Sequence, residues 1–360
     1  MTDPEHLYDY EDEGVPESYK GFFKSRRAVL AILLLALLAL FLVVPCFGPI
    51  DIPFLDVLEK IFTLDATSRE GRIVWNIRVV RLVGGILAGA GLAVCGVVMQ
   101  CILRNPLASP YTLGLSNAAA FGAAFSIVFV GTGSMATSAI YINNPYVTTL
   151  LAFVFSMIAT GLIMLLTRFT KVSAETMVLA GIAISAIFSA LLSFTQYVAT
   201  DSQLGNIVSW MFGDLGKATW SWNLFIFAAL LPITVYFIYR RWDYNAMEAG
   251  EDTAKSLGVN TELERMVGLV LSSFLCAVIV SFFGIIAFIG LLGPHIARMI
   301  VGGDHRYLIP AAMVIGALVI VASDQVGMYI LGDEVLPVGI ITSMIGGPLF
   351  IYLLVRRYRS

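Results

Sequence analysis

The sequence predicts an all-α polytopic membrane protein with ten transmembrane helices, and three observations lead there. Of its 360 residues, 58% are hydrophobic and only 13% charged, against roughly 25% charged in an ordinary soluble domain. The mean hydropathy of +0.86 excludes a water-soluble fold. Apolar runs of about 20 residues, the length that crosses a bilayer as a helix, recur along almost the whole chain and leave no room for a sizeable soluble domain. The net charge of -3 comes from seven carboxylates between Asp3 and Glu17, and the remainder sums to +4.

In chain order, an acidic and then basic cytoplasmic tail is expected over 1–27, a transmembrane domain over 28–355 and a short basic tail over 356–360. Spans are expected at Ala28–Phe47, Leu82–Leu103, Thr112–Gly131, Tyr146–Leu166, Ala174–Val198, Ser221–Tyr239, Met266–Phe283, Ile285–Ala297, Leu308–Leu331 and Val338–Val355. The eighth is short, 13 residues interrupted by Gly290, Gly293 and Pro294, and charge decides its status. If it crosses, sixteen of the 22 lysines and arginines lie inside; if not, the split is 11 to 11. The positive-inside tendency favours ten spans with both termini cytoplasmic. The lipoprotein-like stretch Leu42–Cys46 has proline where a small residue is needed, so no cleaved signal is expected.

Two connections are long enough to carry structure. Outside, Phe54, Leu55, Val57, Leu58, Ile61 and Phe62 have helical spacing and predict a short amphipathic surface helix. Inside, the polar segment 240–265 predicts two short helices broken at Gly250 and Gly258, a place where a cytoplasmic partner could dock.

Chemistry is sparse. Four cysteines and His6, His295 and His305 are scattered without metal-ligand or disulfide spacing. The one Gly-Lys pair, Gly216-Lys217, has Met211 in place of the first glycine of a phosphate loop and Ala218 after it, so this chain carries no nucleotide site. No catalytic triad, HExxH or paired carboxylate argues for an enzyme. Glu175 and Asp324 alone put charge at depth, where it is costly. Two isolated carboxylates make a poor ion-coupling site, which disfavours the alternative of an ion-coupled secondary transporter acting without an ATPase. A non-transporting scaffold is a further alternative. Gly85 and Gly89 form a GxxxG that permits close helix approach.

Several stretches are more specific: Arg78–Arg81 ahead of the glycine-rich second span, Gln100–Asn117, Val178–Ala183, Trp210–Leu215, the loop from Gly250 to Gly258, Phe283–Arg298, Asp304-His-Arg306, and Leu336–Gly339 with Gly346-Gly-Pro348. Their order from Arg78 to the carboxyl terminus strongly resembles the iron-siderophore and cobalamin permease family of ABC importers (FecCD type). The resemblance implies the type II importer permease fold of ten transmembrane helices, and a homodimer with the pathway between its subunits. It implies two copies of an ABC ATPase below, which use ATP and Mg, and an extracytoplasmic substrate-binding protein docking outside. No cofactor is expected on this chain, and no nucleic acid as partner.

Residue by residue, the resemblance assigns Gly250, Glu251, Ala254, Leu257 and Gly258 to a coupling loop seated in the ATPase. Arg78 and Arg81 would meet acidic residues of the binding protein; topology alone suggests the same of uncompensated outer arginines. Met328 stands where some members carry a further docking arginine. Ser173, Ala174, Glu175 and Thr176, at the start of the fifth span, fall at the cytoplasmic gate of a pathway lined largely by the fifth and tenth spans. There Glu175 either favours cationic cargo or caps its helix. Asn105-Pro106 and Pro294-His295 are expected to shape span ends rather than touch ligand. The cargo class is a metal chelate such as ferric siderophore, haem or cobalamin.

Overall fold

The computed structural model describes residues 17–48, 50–132, 144–169, 173–332 and 334–359. The acidic tail expected before residue 17 and Lys171 of the expected inner charge set lie outside these residues. Among the described residues the regular structure is helical, apart from one isolated bridge between Leu331 and Glu334.

The helices, in chain order, are α1 (Glu17–Val43), α2 (Phe54–Phe62), α3 (Arg69–Ile73), α4 (Val80–Ile102), α5 (Leu115–Phe129), α6 (Pro145–Phe169), α7 (Ala174–Val198) and α8 (Asp201–Met211). They continue as α9 (Trp220–Tyr239), α10 (Arg241–Ala249), α11 (Glu251–Ser256), α12 (Thr261–Phe283), α13 (Ile289–Val301), α14 (His305–Tyr329) and α15 (Val338–Arg359). Among the described residues, seven helical stretches are long and apolar enough to cross a membrane, and three shorter apolar helices, Leu115–Phe129, Ile289–Val301 and Val338–Leu349, stand beside them. All ten coincide with an expected span. The surface helix expected from Phe54 to Phe62 is α2, with Val57 and Ile61 buried.

The core is built around α4. A π-helical turn, Val74–Val79, joins α3 to α4 and makes one continuous run of 34 residues. This run is buried along most of its length, while α1 packs at the rim and is largely exposed. The most extensive packing in the bundle is between α4 and α14, and Gly89 permits its closeness: a Cβ there would lie 2.4 Å from the Gly316 carbonyl oxygen. Gly85 instead faces Leu215, Ile320 and Val321. The GxxxG therefore packs α4 against its own chain.

The short α13 shows why its sequence looked broken. Gly284 at φ 81° and Phe288 at φ 65° turn the chain before the helix begins, four residues later than expected. Pro294 lacks the N–H that would bond the carbonyl of Gly290, four residues earlier. The Gln100 amide of α4 approaches that carbonyl at 3.5 Å. Side-chain-free Gly96 lets α4 come this near, since a Cβ there would lie 1.9 Å from the same oxygen.

Three separate sequence stretches converge at one joint. The Asp214 amide donates to the Phe283 carbonyl at 2.8 Å, and the Gly339 amide donates to the Gly213 carbonyl at 3.2 Å. The turns after α8, after α12 and before α15 are thereby held together by backbone, close to where Asp214 faces Arg81.

Candidate functional site

Two groups of charged residues mark the two ends of the bundle. At one end, which we call the Arg81 end, the Arg81 guanidinium forks onto Asp324 of α14, with Nε to Oδ2 and Nη2 to Oδ1 both at 2.8 Å. Asp214 stands 4.0 Å from Nη2. Arg78 is only 9% exposed. It donates from Nη1 to the Pro45 carbonyl at 2.8 Å and from Nη2 to the Ile50 carbonyl. The arginines are thus not uncompensated, as topology alone suggested. The compensating groups come from α14 and from the chain after α1, which sequence separation hides.

Beneath these residues lies a cavity of about 280 Å³, lined by Arg78, Arg81, Asp324, Gln325 and Met328 together with apolar groups of the chain after α1. Met328, the position noted for its lack of a charge, approaches the Gln325 amide through its sulfur at 3.7 Å.

At the Arg265 end the polar connection folds as expected, with α10 and α11 separated by Gly250 at φ 136° and closed by Gly258 at φ 84°. The five residues assigned to coupling divide into two kinds. Ala254 is completely buried, whereas Leu257 is 69% exposed. Glu251 accepts from Arg265 Nη2 at 2.7 Å and Nη1 at 3.4 Å, and from Lys255 at 2.9 Å. The Arg265 bonds come first among the causes, ahead of Lys255, that hold its carboxyl down to about 2. Arg265 is itself 2% exposed and reaches the Ile102 carbonyl at the end of α4, 3.2 Å away.

Further ties fix α10 to the bundle. Asn245 donates to Asp304 at 3.1 Å and accepts from the His305 amide at 2.8 Å. Arg298 stands 3.6 Å from Glu248, and the Cys101 thiol donates to the Tyr244 carbonyl. The Asp304-His-Arg306 stretch is therefore part of this joint: Asp304 also caps α14 and holds Arg306, whose guanidinium stacks 4.7 Å from the Trp242 ring. Cys101, Glu248 and His305 come within 4.8 Å of one another, which their scatter in sequence did not suggest. Cys101 is engaged with Tyr244, Glu248 with Arg298, and the His305 Nδ1 lies 2.9 Å from Asn245 Oδ1, so the trio belongs to the joint.

The third set, Ser173 to Thr176, opens α7. Ser173 is the cap, its hydroxyl accepting from the Thr176 amide at 3.2 Å; Ala174 is buried, and Glu175 is exposed in the first turn. A carboxylate there favours the helix terminus. Farther along, Leu179, Ile182, Ile187, Phe194 and Tyr197 of α7 are exposed, as are Met344, Ile345 and Ile351 of α15. These are the fifth and tenth spans, and both present apolar faces uncovered by the other described residues.

The sequence matches the FecCD transport family over residues 33–356. A protein of Methanocaldococcus jannaschii named as an ABC transporter permease is 44% identical over 346 residues, 96% of this chain and 99% of the relative. The hemin transport system permease of Yersinia pestis is 33% identical, covering 90% of this chain and 96% of its own. Relatives at 33% identity also include a vitamin B12 import permease of Klebsiella pneumoniae and a molybdate import permease of Haemophilus influenzae. A solved chain described as an inward-facing metal-chelate type ABC transporter matches with a TM-score of 0.77 at 30% identity, covering 92% of this chain and 99% of its own. A bundle of this order, with polar joints at its two ends and a family match running through nearly every helix, has one reading: the chain is a multi-pass membrane protein, an ABC importer permease subunit that belongs to the FecCD transport family.

Proposed function

We propose that this chain forms, as a homodimer in the cell membrane, the translocation pathway of an ATP-driven importer for a metal chelate such as ferric siderophore, haem or cobalamin. Both termini and the Arg265 end face the cytoplasm; the Arg81 end faces outward. The observation that carries the reading is the construction of the α10–α11 connection. Tyr244, Glu251 and Asn245 bind it to α4, α12 and α14 and Ala254 is buried, while Leu257 projects apolar surface into solvent. A partner gripping Leu257 would move a rigid unit continuous with the core helices. Gly250 and Gly258 set the two turns that present it.

The partner we infer is an ABC ATPase in two copies, which supplies the nucleotide site and the ATP and Mg chemistry that this chain lacks. The exposed apolar faces of α7 and α15 would meet the second copy and line the pathway between them, with Ser173, Ala174, Glu175 and Thr176 at its cytoplasmic constriction. Ser173 caps α7, and the Glu175 carboxylate bonds that serine and its own amide while staying exposed at the opening. Outside, a substrate-binding protein would dock by carboxylates over Arg78 and Arg81. Because Arg81 is held by Asp324, such a carboxylate adds to an existing pair rather than neutralising a lone charge.

Uptake into vesicles holding the chain with its ATPase tests this reading. ATP inside the assembly should drive accumulation, and an ion gradient alone should not. Accumulation driven by an ion gradient in vesicles without the ATPase would overturn it in favour of a secondary transporter.

A further inference from the structure

Lys217 hydrogen-bonds into neither ionic joint; the carboxylate that acts on it, Asp214, already faces Arg81. It ends the short turn Leu215–Lys217, three residues before α9. Its ammonium nitrogen is buried with no hydrogen-bond partner, and Asn206 Oδ1 of α8 is in the same condition. Both residues line a cavity of about 260 Å³ together with Thr148, Ser209, Trp222 and Ser281. A buried ammonium costs several kcal/mol unless an anion meets it. Trp222, in the first turn of α9, lines this cavity, and tryptophans at the end of a span mark the level of the lipid headgroups.

The cavity continues into the bundle surface. Thr149, Ser281 and Phe282 also line a second space of about 980 Å³, an apolar groove between α6, α9 and α12. Phe153, Phe225 and Phe274 wall it, and Ala228 and Ala229, just before Pro232, keep it open. From Phe282 to Val270, α12 borders the groove for about 18 Å at 1.5 Å per residue. One leaflet of a ~30 Å hydrocarbon core has a similar depth.

We propose that Lys217 and this groove bind one phosphate-headed lipid of the leaflet at the Arg81 end. The phosphate lies on the Lys217 ammonium, a headgroup hydroxyl or ammonium donates to Asn206 Oδ1, and one hydrocarbon chain fills the groove along α6, α9 and α12. Inorganic phosphate would answer the lysine and leave the groove empty. A sugar-headed lipid would fill the groove and leave the ammonium without an anion in hydrogen-bond contact. The phospholipid alone satisfies both.

The test is native mass spectrometry of the complex released from nanodiscs of phosphatidylglycerol mixed with a neutral galactolipid. One phosphatidylglycerol per chain should remain through mild delipidation. Lys217→Met should cut that retention about fivefold, the worth of one basic side chain at an anionic headgroup, and Lys217→Arg should keep most of it. Ala229→Trp, which blocks the groove and leaves the lysine in place, should also lower it. Three results would overturn the proposal. Unchanged retention in both Lys217→Met and Ala229→Trp means annular lipid only. Loss confined to Lys217→Met, with competition by inorganic phosphate, means an anion pocket without a lipid. Loss confined to Ala229→Trp, with galactolipid retained equally well, means a groove indifferent to the headgroup.

Discussion

Arg81 and Asp324 meet near one end of the bundle through two hydrogen bonds of 2.8 Å, and Arg265 and Glu251 meet near the other through contacts of 2.7 and 3.4 Å. The chemistry is the same, but the surroundings differ. Asp324 is nearly inaccessible and both members of the pair sit on core helices, so the first pair clamps α4 to α14. Glu251 is about one-third exposed and sits on a six-residue helix outside the bundle, so the second pair fastens a lever to α12. A buried pair is costly to break and hard to move. A pair with one exposed partner can hold a contact surface without making the fold depend on it.

Breaking the clamp should have the largest effect. Asp324→Leu leaves the buried Arg81 with only the longer contact to Asp214, and a loss of about 3–5 kcal/mol is expected in unfolding in detergent. The double change Arg81→Leu with Asp324→Leu should recover most of that loss, since an apolar pair of similar volume replaces the ions. If the double variant is as unstable as the single, the pair does more than neutralise itself.

Forcing the α4–α13 contact apart should come next. Gly96→Val places a side chain on the Gly290 carbonyl, and overpacking of this kind costs about 1–3 kcal/mol. The same substitution at Gly161, which has open space around it, should cost little by comparison. Equal losses at the two positions would remove close approach as the reason for the glycine.

Loosening the lever should be milder still. Glu251→Gln removes one charge of the second pair, with a loss of about 1–3 kcal/mol from the buried Arg265 side chain left without its carboxylate. The Glu251 carboxyl titrates at about 2, below its ordinary 4.5. Its stabilising contribution is therefore complete above pH 4.5 and fades as the pH falls towards 2. Acid titration of the wild type should show loop exposure, by hydrogen exchange of residues 250–258, growing across that window. The Gln variant should start more exposed and lack that acid-dependent step.

The division between legible and hidden features follows from the range of the signal. Hydropathy and span length are local, so the apolar runs at Ala174–Val198 and Ser221–Tyr239 reappear almost residue for residue as α7 and α9. Gly250 and Gly258 marked the turns of the α10–α11 connection through their freedom at positive φ. The helix α8 was missed because Asp201, Ser202, Gln203, Gly205 and Asn206 dilute its apolar content, although Thr200 and Gln203 form a capping box readable in the sequence. Asp324 could be recognised as a buried acid, but nothing local names Arg81, 243 residues away, as its partner. Ala254 and Leu257 looked alike as apolar residues of a short helix, and only packing against α12 separates the buried one from the exposed one.

Leu257 is the smallest perturbation of the fold and the sharpest of the function. At 69% exposure, Leu257→Asp should change stability by no more than about 0.5 kcal/mol. Yet a carboxylate placed in an apolar contact must lose its water, which weakens any partner that grips this side chain. The deciding measurement is therefore the amount of ATPase that co-purifies with the Leu257→Asp chain, read beside its unfolding temperature. A folded, membrane-inserted chain that has lost most of its ATPase is the predicted result. Wild-type recovery of the ATPase on that variant would contradict the account, because the exposed tip of α11 would then not be where the motor takes hold.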